Sequence, residues 1–164
     1  MKRKYLIVSI IVPLILAIDQ LTKTLVARYL ELGEGVDVIP GVFQLYYTLN
    51  PGAAFGLFAG LSAKIRNPFF TATSIIAIGL VFYFIIKADD RQILFPTSLA
   101  MVLGGALGNI MDRVRLHGYV VDFLDFYIIN WPAFNVADSA VTIGIVLMMT
   151  EVIMSREAKE ETKE

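Results

Sequence analysis

Four long apolar stretches, each close to the roughly 20 residues a membrane-crossing helix needs, leave this chain few ways to fold. They run over about 5–27, 68–86, 93–111 and 136–154. Hydrophobic residues make up 57% of the sequence and charged residues 18%, against about a quarter charged in an ordinary soluble domain. The mean hydropathy of +0.68 agrees. The composition predicts an integral membrane protein, and the length suits one domain over 1–164.

Several chemistries are excluded at once. There is no cysteine, so no thiol nucleophile, disulfide framework or thiolate metal site. His117 is the single histidine, which removes a histidine-rich metal centre. A net charge of −1 argues against a nucleic-acid partner, which would meet a basic face. Neither a metal nor another cofactor is expected.

Lys2, Arg3 and Lys4 precede the first stretch, as in a signal peptide, but no small-residue cleavage site follows. The run leads instead into Ile18-Asp19-Gln20-Leu21-Thr22-Lys23, so an uncleaved span is expected. The positive-inside rule places the N-terminus in the cytoplasm, together with Lys87, Arg91, Arg156, Lys159 and Lys163. Arg28, Lys64, Arg66, Arg113 and Arg115 fall on the other side, so the bias is modest. Four spans put both termini in the cytoplasm and turn the loops at about 28–67 and 112–135 outward. In the longer loop Phe43, Leu45, Tyr47 and Leu49 alternate with Gln44, Tyr46, Thr48 and Asn50. That period of two predicts a small extracytoplasmic sheet, with Pro40-Gly41 as the turn before it. The following Asn50-Pro51-Gly52-Ala53-Ala54-Phe55-Gly56 is expected to lie on the membrane surface. The charged tail from Ser155 to Glu164 reads as a solvated helix end.

The polar residues at membrane depth are not scattered. At 1.5 Å per residue Asp19 lies roughly 21 Å along the first helix from Tyr5, with Lys23 one turn further out. Asn109, Asp112 and Arg113 close the third span on that outer side, Asn135 and Asp138 open the fourth, and Asp122 lies between. Such a gathering at one edge points to a site, because intramembrane ionisable groups are costly and usually functional.

Each member also has a plainer use. Asp19 and Lys23, at i and i+4, suit a structural ion pair. Gly104-Gly105-Ala106-Leu107-Gly108 suits close helix packing. Asp112-Arg113 could anchor at the interface, and Arg113 could equally hold backbone carbonyls or a substrate. Phe123, Phe126, Tyr127, Trp131 and Phe134 read as an aromatic belt, and His117 as a loop residue. Asn135 and Asp138 fit a capping arrangement at a helix start, whose dipole favours an ionised carboxylate. On that basis Asp138 is the expected base and Asp122 the expected proton holder.

Two carboxylates about 3 Å apart share one proton near neutral pH. The ionised partner can deprotonate water while the protonated one supports the scissile carbonyl. This is aspartic-protease chemistry, which needs no metal, thiol or histidine. The same carboxylates, with Asp19 and Lys23, could instead form a proton or cation relay in a small transporter or channel subunit. A protease cutting helices in mid-bilayer fits less well, because both aspartates fall at span edges.

The segments Asp19-Gln20-Leu21-Thr22-Lys23, Asn50-Pro51-Gly52-Ala53-Ala54-Phe55, Gly104-Gly105-Ala106-Leu107-Gly108-Asn109, Asp112-Arg113, Val120-Val121-Asp122-Phe123 and Phe134-Asn135-Val136-Ala137-Asp138-Ser139 stand in this order. Together they resemble bacterial lipoprotein signal peptidase (signal peptidase II), across the whole hydrophobic body. The resemblance implies a four-helix membrane aspartic endopeptidase of the inner membrane with a small outward-facing sheet cradle. It implies cleavage of diacylglyceryl-modified prolipoproteins just before the lipidated cysteine, and inhibition by globomycin. Asp122 and Asp138 match the family's catalytic pair. Asn50, Gly52, Gly105, Asn109, Arg113 and Asn135 match positions around it that help place the substrate, and Asp19, Lys23 and Asp112 match supporting positions. One departure is the loop from Val114 to Tyr119, one residue longer than the family pattern and outside its motifs.

Overall fold

Each apolar stretch folds into one helix that outruns the stretch itself. The computed structural model describes residues 2–52 and 60–161, the last helix's side chains only as far as Met154. Its helices are α1 (Arg3–Tyr29), α2 (Ala63–Lys87), α3 (Leu94–Arg115) and α4 (Val136–Glu161), all long and apolar enough to cross a membrane. Helix α2 begins five residues before the apolar run at Pro68, so Lys64 and Arg66, expected in the loop, lie on the helix. Hydropathy marks where hydrocarbon begins, whereas a backbone hydrogen-bond ladder continues into the interface. Of the expected surface segment, Asn50, Pro51 and Gly52 are described, and residues 53–56 lie outside the described residues.

The polarity of α1 is inverted relative to a helix in water. Ile10, Leu14, Ile18 and Leu21 are exposed, while Lys4, Asp19, Lys23 and Val26 are buried. Lipid accepts the first group, and only the bundle interior can hold the second.

Helix α3 is the centre of the bundle and contacts the other three. About 44% of its apolar stretch is buried, against 11–17% for the others. Its small residues make this possible. A Cβ on Gly104 would meet Ile15 of α1, and one on Gly105 would overlap the Ala137 carbonyl of α4. One on Gly108 would sit 2.6 Å from Asp19 Oδ2. The glycine run therefore packs helices, as expected of small residues in membranes. Val81, Ile85, Leu99 and Leu103 form an apolar core between α2 and α3.

Lys4 closes one end of this bundle. Its ammonium donates to the carbonyls of Ile86 and Ala88, both at 2.7 Å. Unpaired carbonyls and the negative dipole end of α2 both favour a cation there. The start of α1 and the end of α2 thus share one end of the molecule.

A three-stranded antiparallel sheet caps the other end, in the order β1 (Gly35–Ile39), β2 (Phe43–Asn50), β3 (Val120–Asp125). The turn into β2 uses Gly41 at φ +80°, a conformation glycine adopts without a Cβ penalty. Leu45, Tyr47 and Leu49, one face of the alternating run, pack on Val26, Val121 and Phe123. This corrects the reading of Phe123 as part of an interfacial aromatic belt. Phe123 is 4% exposed and joins sheet to helix, because β3 turns it toward α1. Across β2 and β3, Thr48 pairs with Asp122 and Asn50 with Val120.

Candidate active site

Asp122 is placed by a strand and Asp138 by a helix. Pairing with β2 fixes Asp122, while Asp138 lies in the first turn of α4. That turn starts with a reciprocal cap: the Asp138 N–H donates to Asn135 Oδ1 at 2.9 Å, and the Asn135 N–H donates to Asp138 Oδ2 at 3.3 Å. Both carboxylates line one cavity of about 530 Å³, together with Asn50, Gly52, Asn109 and Arg113. Trp131, Pro132, Ala133 and Phe134 form another part of its wall, and Ser139 and Thr142 line it from α4.

Three asparagines hold the two carboxyl groups. Asn135 Nδ2 donates to Asp122 Oδ1 at 2.6 Å and Asn50 Nδ2 donates to Asp122 Oδ2 at 2.8 Å. Asn109 Nδ2 donates to Asp138 Oδ1 at 2.7 Å. Every carboxyl oxygen of the pair therefore accepts an N–H, and lone pairs remain for a proton or a water. The amides are themselves oriented. Asn50 Oδ1 accepts the Gly52 N–H at 2.8 Å, and Asn135 Nδ2 also donates to the Val121 carbonyl at 3.2 Å.

Burial is the main influence on Asp122. It is 1% exposed, and removal from water, followed by the nearby charge of Asp138, pushes its carboxyl up to about 7. Hydrogen bonds from Asn50 and Asn135, and the charge of Lys23, oppose the rise without cancelling it. Burial thus holds the Asp122 carboxyl well above the ordinary carboxylate range.

Arg113 reaches the same cavity. Its Nη2 makes one long contact to the Gly52 carbonyl, 3.4 Å, and its Cζ sits 5.5 Å from the Phe70 ring centre. Among the described residues its Nε is buried without a hydrogen-bond partner. Gly105 does not line the cavity and lies in the α3–α4 contact instead.

Asp19, Lys23 and Asp112 form a second buried group behind Asn109. Lys23 Nζ lies 2.9 Å from both Asp19 Oδ2 and Asp112 Oδ2. The pair read from i, i+4 spacing is thus one side of a cluster that ties α1 to α3. Asp112 Oδ2 also accepts the Val121 N–H at 3.1 Å, next to Asp122 in β3. Gln20, which no sequence pattern marks as a site residue, joins the cluster: its Nε2 donates to Asp112 Oδ1 and to Asp19 Oδ2, both at 3.1 Å. Its only sequence signal was its place between Asp19 and the rest of that motif. Among the described residues no group of three or more His, Cys, Asp or Glu could hold a metal ion.

Comparison with known proteins gives one consistent result. A family model described as signal peptidase (SPase) II matches residues 11–154. The chain is 42% identical to the lipoprotein signal peptidase of Syntrophus aciditrophicus, over 97% of this chain and 99% of that one. It is 47% identical to that of Desulforapulum autotrophicum, over 87% and 89%. A solved bacterial membrane enzyme structure superposes with a TM-score of 0.83 at 34% identity, covering 93% of this chain and 90% of the other.

Proposed function

This chain belongs to the signal peptidase II family and is a multi-pass membrane protease, and we propose that it removes signal peptides from diacylglyceryl-modified prolipoproteins, cutting just before the lipidated cysteine. The catalytic groups are Asp122 and Asp138. The observation that carries this reading is that both carboxyls line one shared cavity and are held there by amide N–H donors.

In the resting pair Asp122 carries the proton and Asp138 is the base. The elevation of Asp122 to about 7 supports this, as does the favourable end of the α4 dipole beneath Asp138. Asp138 takes a proton from a water whose oxygen attacks the scissile carbonyl carbon, while Asp122 hydrogen-bonds and then protonates the carbonyl oxygen. The tetrahedral diol collapses as Asp138 passes its proton to the departing amine and Asp122 recovers its own. Arg113, whose buried Nε has no partner among the described residues, receives a substrate backbone carbonyl, and Asn50 and Gly52 border the same cavity.

Both termini face the cytoplasm, and the sheet end faces outward from the bacterial inner membrane. Lys2, Arg3, Lys87 and Arg91 at the opposite end support this orientation. A cavity at the bilayer edge suits a lipid-tethered peptide, whose acyl chains stay in the membrane while water reaches the peptide bond. Globomycin-type inhibitors occupy the same cavity.

Two outcomes test the proposal. Purified protein in lipid is given a diacylglyceryl prolipoprotein and its unlipidated twin; cleavage of the lipidated form alone is expected. Equal cleavage of both points to another substrate, and flux of an ion without proteolysis to the relay reading. The pH profile of kcat/KM is the second. A carboxyl raised to about 7 is protonated below that pH, so activity falls as pH rises through about 7 and the shared proton is lost. A profile flat from about pH 5 to about pH 9 would contradict the one-proton pair.

A further inference from the structure

The Lys23 ammonium has three protons to donate and three acceptors around it: Asp19 Oδ2 at 2.9 Å, Asp112 Oδ2 at 2.9 Å and Asn109 Oδ1 at 3.0 Å. Charge pairing alone needs a carboxylate and no asparagine. The third contact has a consequence, because an ammonium has no lone pair with which to accept. Asn109 must turn its oxygen toward Lys23, and its NH2 then faces Asp138 Oδ1 at 2.7 Å. The reversed amide would set its NH2 against Lys23 and against Asn135 Nδ2, which now donates to Asn109 Oδ1 at 3.2 Å. It would also set its oxygen against a carboxylate.

We propose that Lys23 is a positioning residue for Asp138: it locks the Asn109 amide in the one orientation that donates to that carboxyl. Asp19 and Asp112 hold Lys23 in place for this purpose. Asp19 contributes a second hold, since its Oδ1 accepts the Ala137 N–H at 3.0 Å in the first turn of α4. The helix start that carries Asp138 and the amide that orients it are thus both set from α1. This inference rests on the reading of Asp122 and Asp138 as the catalytic pair.

The geometry also supplies a test. A second cavity of about 320 Å³ lies between α1 and α3, lined by Lys23, Gln20, Asp112, Arg115 and Tyr47 among others. Its lining does not overlap that of the first cavity. Lys23→Ala opens space continuous with it, large enough to admit a small alkylammonium ion. Turnover of the lipidated substrate by Lys23→Ala is expected to fall about a hundredfold in kcat, the scale of a misplaced catalytic group, with KM little changed. Added n-butylammonium restores about tenfold or more of that loss, and n-butanol, of similar shape without the charge, restores nothing.

A second readout does not depend on proteolysis. The infrared carboxyl band of isotope-labelled Asp138 moves in Lys23→Ala and returns with n-butylammonium. Should Lys23→Ala not fold, Lys23→Met moves the band and Lys23→Arg brings it part of the way back. A folded Lys23→Ala with wild-type kcat, or an Asp138 band unmoved by loss of the cation, overturns the proposal. Failure of the wild-type protein to cleave any lipidated substrate would instead remove the catalytic reading, and the infrared readout would still decide the positioning role.

Discussion

Asp122→Asn and Asp138→Asn are each expected to lower turnover of a diacylglyceryl prolipoprotein by about 10⁴-fold or more, while the bundle stays folded. The substitution keeps the shape of the side chain and removes its ability to carry and return a proton. In Asp122→Asn the oxygen keeps one amide donor, from Asn50 or Asn135, and the new NH2 faces the other, whose amide must turn away. The costly burial of an ionisable group disappears at the same time. Thermal unfolding in detergent should therefore change little while activity vanishes. The double variant should be no slower than the worse single one, because members of one catalytic unit do not contribute additively. More than about a tenth of wild-type activity in either single variant would exclude that carboxyl from the chemistry.

Gly105→Ala is expected to have the next largest effect, although Gly105 does not itself line the cavity. A Cβ there overlaps the Ala137 carbonyl oxygen and crowds Val141. The obstacle is backbone in the first turn of α4, which cannot rotate away as a side chain could. Helix α4 must shift outward, at an overpacking cost of about 1–3 kcal/mol. Asp138 is the next residue after Ala137, so the same shift carries it off Asn109 and away from Asp122. A displacement of about 1 Å can lower catalysis roughly a hundredfold. Turnover and unfolding measured together check both effects. Full activity in a folded Gly105→Ala would mean that the α3–α4 contact does not set the geometry of the pair.

These contacts show which parts of the fold could be read from sequence. The four helices were legible because apolar length alone commits a segment to span. Strand β2 was legible from the alternation between Phe43 and Asn50. Strand β1 was not, since Gly35-Val36-Asp37-Val38-Ile39 is exposed along its length and is ordered by pairing with β2, a partner that local pattern does not reveal. Lys4 looked like a flanking charge because no local rule says that the end of α2, more than eighty residues away, will bring it two carbonyls. Phe123 misled for a related reason: an aromatic residue near an interface suits a belt and a core equally until the strand direction is known.

The candidate site divides in the same way. Asp122 and Asp138 stood out because each is an acid in apolar surroundings, and the cap at Asn135 followed from its spacing to Asp138. Asn109 was marked by its place among the polar residues at the outer edge, whereas Asn50 came from the family resemblance alone. The three-way contact of Lys23 depends on how α1 is rotated against α3. Spacing within α1 supplies Asp19 as a partner; only packing supplies Asp112 and Asn109.

The most direct test of hydrolysis by this pair is a single turnover in water enriched with the heavy oxygen isotope, followed by mass spectrometry of both products and of the enzyme. Direct attack by water held between Asp122 and Asp138 predicts one heavy oxygen in the new carboxyl of the released signal peptide. It also predicts a product beginning at the lipidated cysteine and no label in either aspartate. Label in Asp122 or Asp138 would contradict it by revealing a covalent route through that carboxyl, and a cut elsewhere in the substrate would contradict the proposed specificity.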